Sequence, residues 1–223
     1  MSTEKKSNRA NLRTYFLLLI AMGISGAGYN LDVPLVVKIT SFYDISDSVF
    51  GLLLGLTTAV MAAASAPWGY WADRRRRANL MKIAIGTIFA CMLLVGVCLQ
   101  YGLPFRVFFI VKLLSGLGFA GVLPIAYSAV MDSVPLRQRG AAFGWISLAY
   151  AGGGAMGMLL ASGCMEMKLS LGSTYLLSAA VEGTLLLALF FMEEPRRGAQ
   201  DEASMMPSVW ARENMGITLS LGT

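Results

Sequence analysis

The chain has 223 residues, 56% of them apolar and only 14% charged, with a net charge of +5 and a mean hydropathy of +0.63. A water-soluble domain of this length cannot hide so much apolar surface, so most of the chain is expected to sit in a bilayer. Histidine is absent altogether, which excludes imidazole-dependent triads and dyads and His-ligated zinc or haem.

A helix crossing the hydrocarbon core needs about 20 apolar residues, and six such stretches follow one another between polar punctuation: 14–39, 48–71, 80–101, 105–131, 141–163 and 172–192. The expected fold class is therefore an all-α membrane protein, a bundle of six transmembrane helices. Residues 1–13 form a basic N-terminal segment before it. Residues 193–223 form a polar tail with two prolines, scattered charge and a short helix expected near 208–215. A basic segment followed by an apolar run also resembles a secretory signal. The first run, however, continues through Pro34 to Ile39, too long for the apolar part of a signal, so it is read as a span.

Orientation follows from the basic residues. Fourteen of the eighteen Lys and Arg fall on one side: Lys5, Lys6, Arg9 and Arg13 before the first span, Arg74 to Arg77 with Lys82, Arg137 with Arg139, and Arg196, Arg197 and Arg212 in the tail. The other side holds Lys38, Arg106 and Lys168. By the positive-inside rule both ends are expected to be cytoplasmic. Because these basic residues sit in short loops between spans rather than on one face, the positive charge is not read as a nucleic-acid surface.

Small residues mark expected helix contacts. Gly51 and Gly55 in the second span, followed by a small run at 62–66, and Gly153 and Gly157 in the fifth form GxxxG pairs, which let backbones approach where lipid gives no hydrophobic drive. Both spans are expected to pack tightly. Cys91, Cys98 and Cys164 lack CxxC spacing, so they are read as small packing residues and no metal site is expected.

Asp32, Lys112 and Glu182 lie well inside spans, where a charge costs about 2.5 to 3.5 kcal/mol and is a functional candidate by default. Asp32 precedes Ile39, the outer end of its span, by seven residues, and Lys112 follows Phe105, the outer start of its own, by seven. At 1.5 Å per residue both sit about 10 Å below the outer boundary. A pair at matched depth can line a polar cavity as an ion pair, bind a charged substrate or exchange a proton. Alternatively, Lys112 reaches outward to the surface and Asp32 caps a break near Pro34. Glu182 stands alone at mid-span, either in the cavity or hydrogen-bonded to a neighbouring helix.

The segment GYWADRRRR, Gly69 to Arg77, at the cytoplasmic end of the second span resembles the loop signature of the major facilitator superfamily, through Gly69, Ala72, Asp73, Arg74 and Arg77. Trp71 and Arg76 stand where that pattern has Leu and a second Gly. KLLSGLGFAG from Lys112 is similar to the family's fourth-helix pattern of a basic residue before GxG. MDSVPLRQRGAAFG is similar to its loop between the fourth and fifth helices, with Asp132, Pro135, Arg137 and Arg139. YNLDVP, ISDSVFGLL and EEPRRGAQ further resemble the spinster group, although Val33 stands where that group usually has Arg.

The resemblance implies the N-terminal six-helix half of a secondary active or facilitative transporter of a small organic, even lipid-like, solute. Such a protein works by alternating access, with no cofactor and no covalent chemistry. Asp32, Lys112 and Glu182 are then the expected substrate or proton cavity. Gly69, Asp73, Arg74, Arg77, Asp132, Arg137 and Arg139 are the expected cytoplasmic gate, in which acids and guanidinium groups latch helix ends together. Proton coupling is open through Asp32 or Glu182. A complete member has a second six-helix bundle, so the expected partner is that bundle or a second copy of the chain. The contrasting reading is a non-transporting scaffold or regulatory fragment.

Overall fold

A computed structural model describes residues 2–192 and Glu194, with the side chains of residues 2–11 left out of the description. The short helix expected near 208–215 lies outside the described residues, as does Glu193. Among the described residues seven α-helices follow in order: α1 (Ser2–Asn30), α2 (Val36–Tyr43), α3 (Asp47–Arg74), α4 (Arg77–Tyr101), α5 (Phe105–Ser133), α6 (Arg139–Glu166) and α7 (Leu171–Leu189). Among the described residues six helical segments are long and apolar enough to cross a membrane, α1 and α2 together forming the first.

Pro34 explains why the first span is broken. A proline ring clashes with the carbonyl four residues earlier and offers no N–H, and that residue, Asn30, is where α1 ends. A 3-10 turn, Val33–Leu35, bridges the gap, closed by Leu35 N–H donating to the Asp32 carbonyl at 2.9 Å. The remaining boundaries have equally local causes. Ser46 and Ser170 cap α3 and α7 by accepting from Val49 and Ser173 N–H, satisfying a donor the helix leaves free. At the end of α4, Gly102 adopts φ 63°, the left-handed turn that glycine takes without strain, and Pro104 then opens α5.

The bundle is organised about α5. This helix packs against both α3 and α4, α4 packs in turn on α7, and α1 pairs mainly with α6 while also touching α5 and α7. In the most apolar stretch of α5, 61% of residues are buried against other helices, against 17% in α3 and 17% in α6. Glycines set the closest approaches. A Cβ at Gly153 or Gly157 of α6 would strike the backbone of Gly23 or Ala27 of α1, and one at Gly116 of α5 would lie 2.8 Å from the Thr57 carbonyl of α3.

One expectation about packing fails. Gly51 and Gly55 of α3 have nothing within 4 Å of the space a Cβ would occupy. Their GxxxG face is open, and α3 instead meets α5 through Thr57 and Trp68, whose indole N–H donates to the Leu117 carbonyl at 2.8 Å. The same spacing in α6 is a backbone contact, so spacing alone does not reveal whether a small face is covered.

Candidate functional site: a buried ion pair and a second charge cluster

Asp32 occupies the break in the first span, where the chain leaves α1 and its side chain turns into the bundle. Lys112 Nζ donates to Asp32 Oδ2 at 2.5 Å, and both residues are 3% exposed. Asp32 Oδ1 accepts from the hydroxyl of Tyr175, which is fully buried on α7. The ammonium also lies 5.7 Å from the centre of the Tyr175 ring. Both carboxylate oxygens are thus engaged, and three segments of the chain are joined at one carboxyl. Leaving either charge alone here would be costly, whereas a hydrogen-bonded pair is tolerated.

Beside the pair lies a cavity of about 130 Å³ between α1, α3 and α5. Asn30, Thr57, Thr58 and Ser115 supply polar groups to its wall, and Tyr29 and Phe119 supply rings. The Tyr29 and Thr58 hydroxyls are 3.0 Å apart, linking α1 to α3 across the opening. Phe119 meets Tyr29 edge-on, with ring centres 5.4 Å apart.

Glu182 does not line this cavity. It sits on α7, fully buried, pressed toward α1: a Cβ built on Gly28 would lie 2.9 Å from Glu182 Oε1 and 3.6 Å from Phe119 Cζ.

The second charged site is at the arginine-rich end of the spans. Buried Arg77, at the start of α4, forms an ion pair with Asp132 near the end of α5 and donates from Nε to Ser128 Oγ at 2.7 Å. Ser128 in turn donates to Asp73 Oδ1 at 3.3 Å. Glu194, just past the sixth span, accepts from the backbone N–H groups of Arg77 and Ala78 at 2.8 and 2.9 Å, placing a carboxylate at the positive end of α4.

Arg74, Arg137 and Gly69 stand apart from this cluster. Arg74 is exposed and stacks over the Tyr70 ring at 3.6 Å. Arg137 is exposed in the 3-10 turn Leu136–Gln138, without a bond among the described residues. Gly69 borders open space. Arg139 donates from Nε to the Val134 carbonyl at 3.2 Å. Sequence reasoning missed Tyr175 and Ser128, for which no motif gives a signal. It quoted Glu194 only as part of a similar segment.

The profile of the Major Facilitator Superfamily matches residues 17–221. The chain belongs to this superfamily. It is accordingly an integral multi-pass membrane protein, and its bundle has the fold of one half of a superfamily transporter. Among curated relatives, Multidrug resistance protein 2 of Bacillus subtilis (strain 168) is 24% identical over 188 residues, covering 82% of this chain and 46% of that one. Synaptic vesicle glycoprotein 2A of Homo sapiens is 28% identical over 152 residues, covering 66% and 19%. The chain thus spans less than half the length of these two superfamily relatives. A solved bacterial homologue of the human lysosomal transporter Spinster, inward-facing and unoccupied, matches with a TM-score of 0.75 at 20% identity, over 85% of this chain and 44% of that one. A D-xylose–proton symporter matches with a TM-score of 0.65 at 16% identity, over 92% and 53%.

Proposed function

We propose that this bundle is the substrate-binding half of a membrane transporter that moves a small organic solute by alternating access. The observation that carries this reading is the Asp32–Lys112 pair, buried at the break of the first span and bordering a cavity whose largely apolar wall carries a few hydroxyl and amide groups. A charged pair in a bilayer is expensive to keep, and its position beside a pocket gives it work to do. When the pair opens, Asp32 can hold a cationic group and Lys112 an anionic one, with Tyr29, Asn30 and Thr58 orienting the remainder of the solute.

In the same reading the Arg77–Asp132–Ser128–Asp73 cluster is the cytoplasmic gate, with Glu194 fixing the start of α4 beside it. Arg74, Arg137 and Arg139 serve orientation, in line with both ends of the bundle being cytoplasmic. The open faces of α3 and α6 take a second six-helix unit, from a longer chain, a separate half or a second copy, against which this bundle rocks. Multidrug proteins and a proton symporter among the relatives and neighbours support a small-molecule solute and proton coupling.

The test is uptake or efflux of a panel of fluorescent organic cations and anions by cells expressing the protein, compared with Asp32→Asn at equal surface expression. Loss of flux in the variant supports the proposal. Unchanged flux removes Asp32 from the mechanism.

A further inference from the structure

The Asp32–Lys112 pair makes the wall of its cavity electrically neutral, and that limits what the cavity accepts. Among the described residues that line it, the charged ones are Asp32 and Lys112, each the ion-pair partner of the other. A singly charged solute therefore meets an unequal exchange. A cation that takes Asp32 from Lys112 leaves a buried ammonium alone. An anion that takes Lys112 leaves Asp32 held by the Tyr175 hydroxyl instead of a cation. Separating a buried pair by serving one partner is strongly unfavourable, because the other charge stays behind uncompensated. A solute that carries both charges replaces one ion pair by two and strands neither.

The two partners are also held unequally. Asp32 is fixed at Oδ1 by Tyr175, whereas Lys112 reaches Oδ2 from the end of a flexible four-carbon stem. Lys112 is thus the partner that swings away. Charges that sit 2.5 Å apart when paired suit a solute whose ammonium and carboxylate are close neighbours. The cavity of about 130 Å³ has room for about four waters at ~30 Å³ each, the scale of a small amino acid rather than an extended chain.

The uncharged wall distinguishes the two ends of such a solute. The hydroxyls of Thr57, Thr58 and Ser115 donate to the carbonyls of Leu53, Leu54 and Lys112 at 2.9, 2.9 and 2.7 Å. Because the Thr58 proton is committed there, the Tyr29 hydroxyl is the donor in its 3.0 Å contact with Thr58. Asn30 Nδ2 donates to the Gly26 carbonyl at 3.0 Å, which leaves one amide N–H and the amide oxygen. What these groups still offer is chiefly lone pairs. Lone pairs suit a primary ammonium with its three N–H donors and do nothing for a carboxylate, for which Lys112 and the second N–H of Asn30 remain.

We propose that this pocket is specific for a small zwitterion of the α-amino-acid type, its ammonium on Asp32 and the oxygen lone pairs of the wall, its carboxylate on Lys112. The proposal deepens the transport reading and rests on it for the pocket's being the substrate site. Selectivity then comes from rejection: a cation or an anion of the same shape is excluded by the charge it would leave unpaired.

Isothermal titration calorimetry of the purified full chain in lipid nanodiscs, at mildly acidic pH, tests this with three probes of nearly one shape: alanine, the cation alaninamide and the anion isobutyrate. Alanine should bind at least about tenfold more tightly than either analogue. Asp32→Asn should shift the preference to isobutyrate and Lys112→Gln to alaninamide, a charge-following switch that a merely structural pair would not give. Each single variant strands a charge and can misfold. The wild-type comparison stands without them, and the double variant Asp32→Asn with Lys112→Gln, which strands none, should lose the preference for alanine. Thr57→Val, which keeps the side-chain shape and removes the lone pairs, should weaken alanine severalfold. Alaninamide or isobutyrate binding as tightly as alanine overturns the proposal, and so does the absence of alanine binding. Unchanged alanine affinity in Thr57→Val removes the wall from the assignment. Binding is read here without flux. Alanine bound but not carried would uphold the pocket's specificity while the transport reading fails, and flux lost in Asp32→Asn with equal binding of the three probes would do the opposite.

Discussion

Asp32 is held by two donors of different kinds, and their removal should have different consequences. Tyr175→Phe deletes a hydrogen bond to a charged group while keeping the ring, and should destabilise the bundle by about 1.5 to 3 kcal/mol, read as a lower melting temperature in detergent. At the charge cluster, Arg77→Ala removes the ion-pair partner of buried Asp132 and the donor to Ser128. The expected loss is about 3 to 5 kcal/mol, and Arg77→Lys should recover part of it by restoring the charge without the Nε bond. Lys112, Asp32 and Glu182 stand out in the sequence because ionisable side chains are rare in apolar runs. Tyr175 and Ser128 do not, since hydroxyl-bearing residues are common in membrane helices and only the fold reveals which of them meets a charge. The sequence marks Glu182 as unusual, yet its burial against Gly28 depends on how α1 and α7 come together.

Between helices, close approach of backbone to backbone decides stability more than the apolar surface does, because lipid competes equally for that surface. Gly157→Leu would drive a side chain into the backbone of Ala27 and should cost at least about 1 to 3 kcal/mol, or prevent folding. Gly55→Leu, facing open space, should leave the melting temperature of the isolated bundle unchanged. Comparing the two by thermal unfolding checks the packing directly. Six spans and the breaking effect of Pro34 are legible in the sequence, since apolar length and a missing N–H act locally. Which GxxxG pair is covered is not, because spacing describes one helix and a contact needs two.

For the molecule as a whole, the sparse burial of α3 and α6 means that two helices present long open faces while α5 is enclosed. If a second six-helix unit covers those faces, Gly55→Trp combined with Gly152→Trp should abolish its association, read by native electrophoresis, while leaving the melting temperature of the bundle intact. The charge of the buried pair has a further effect at this scale. Asp32 and Lys112 sum to zero. One elementary charge crossing the membrane potential exchanges about 2.3 kcal/mol per 100 mV, but a bonded pair displaced as a unit exchanges none. Rocking of the wild-type bundle should therefore be electrically silent, its rate insensitive to voltage. In Asp32→Asn the same movement would carry an uncompensated ammonium through the field, and a transient capacitive current should appear where the native protein gives none.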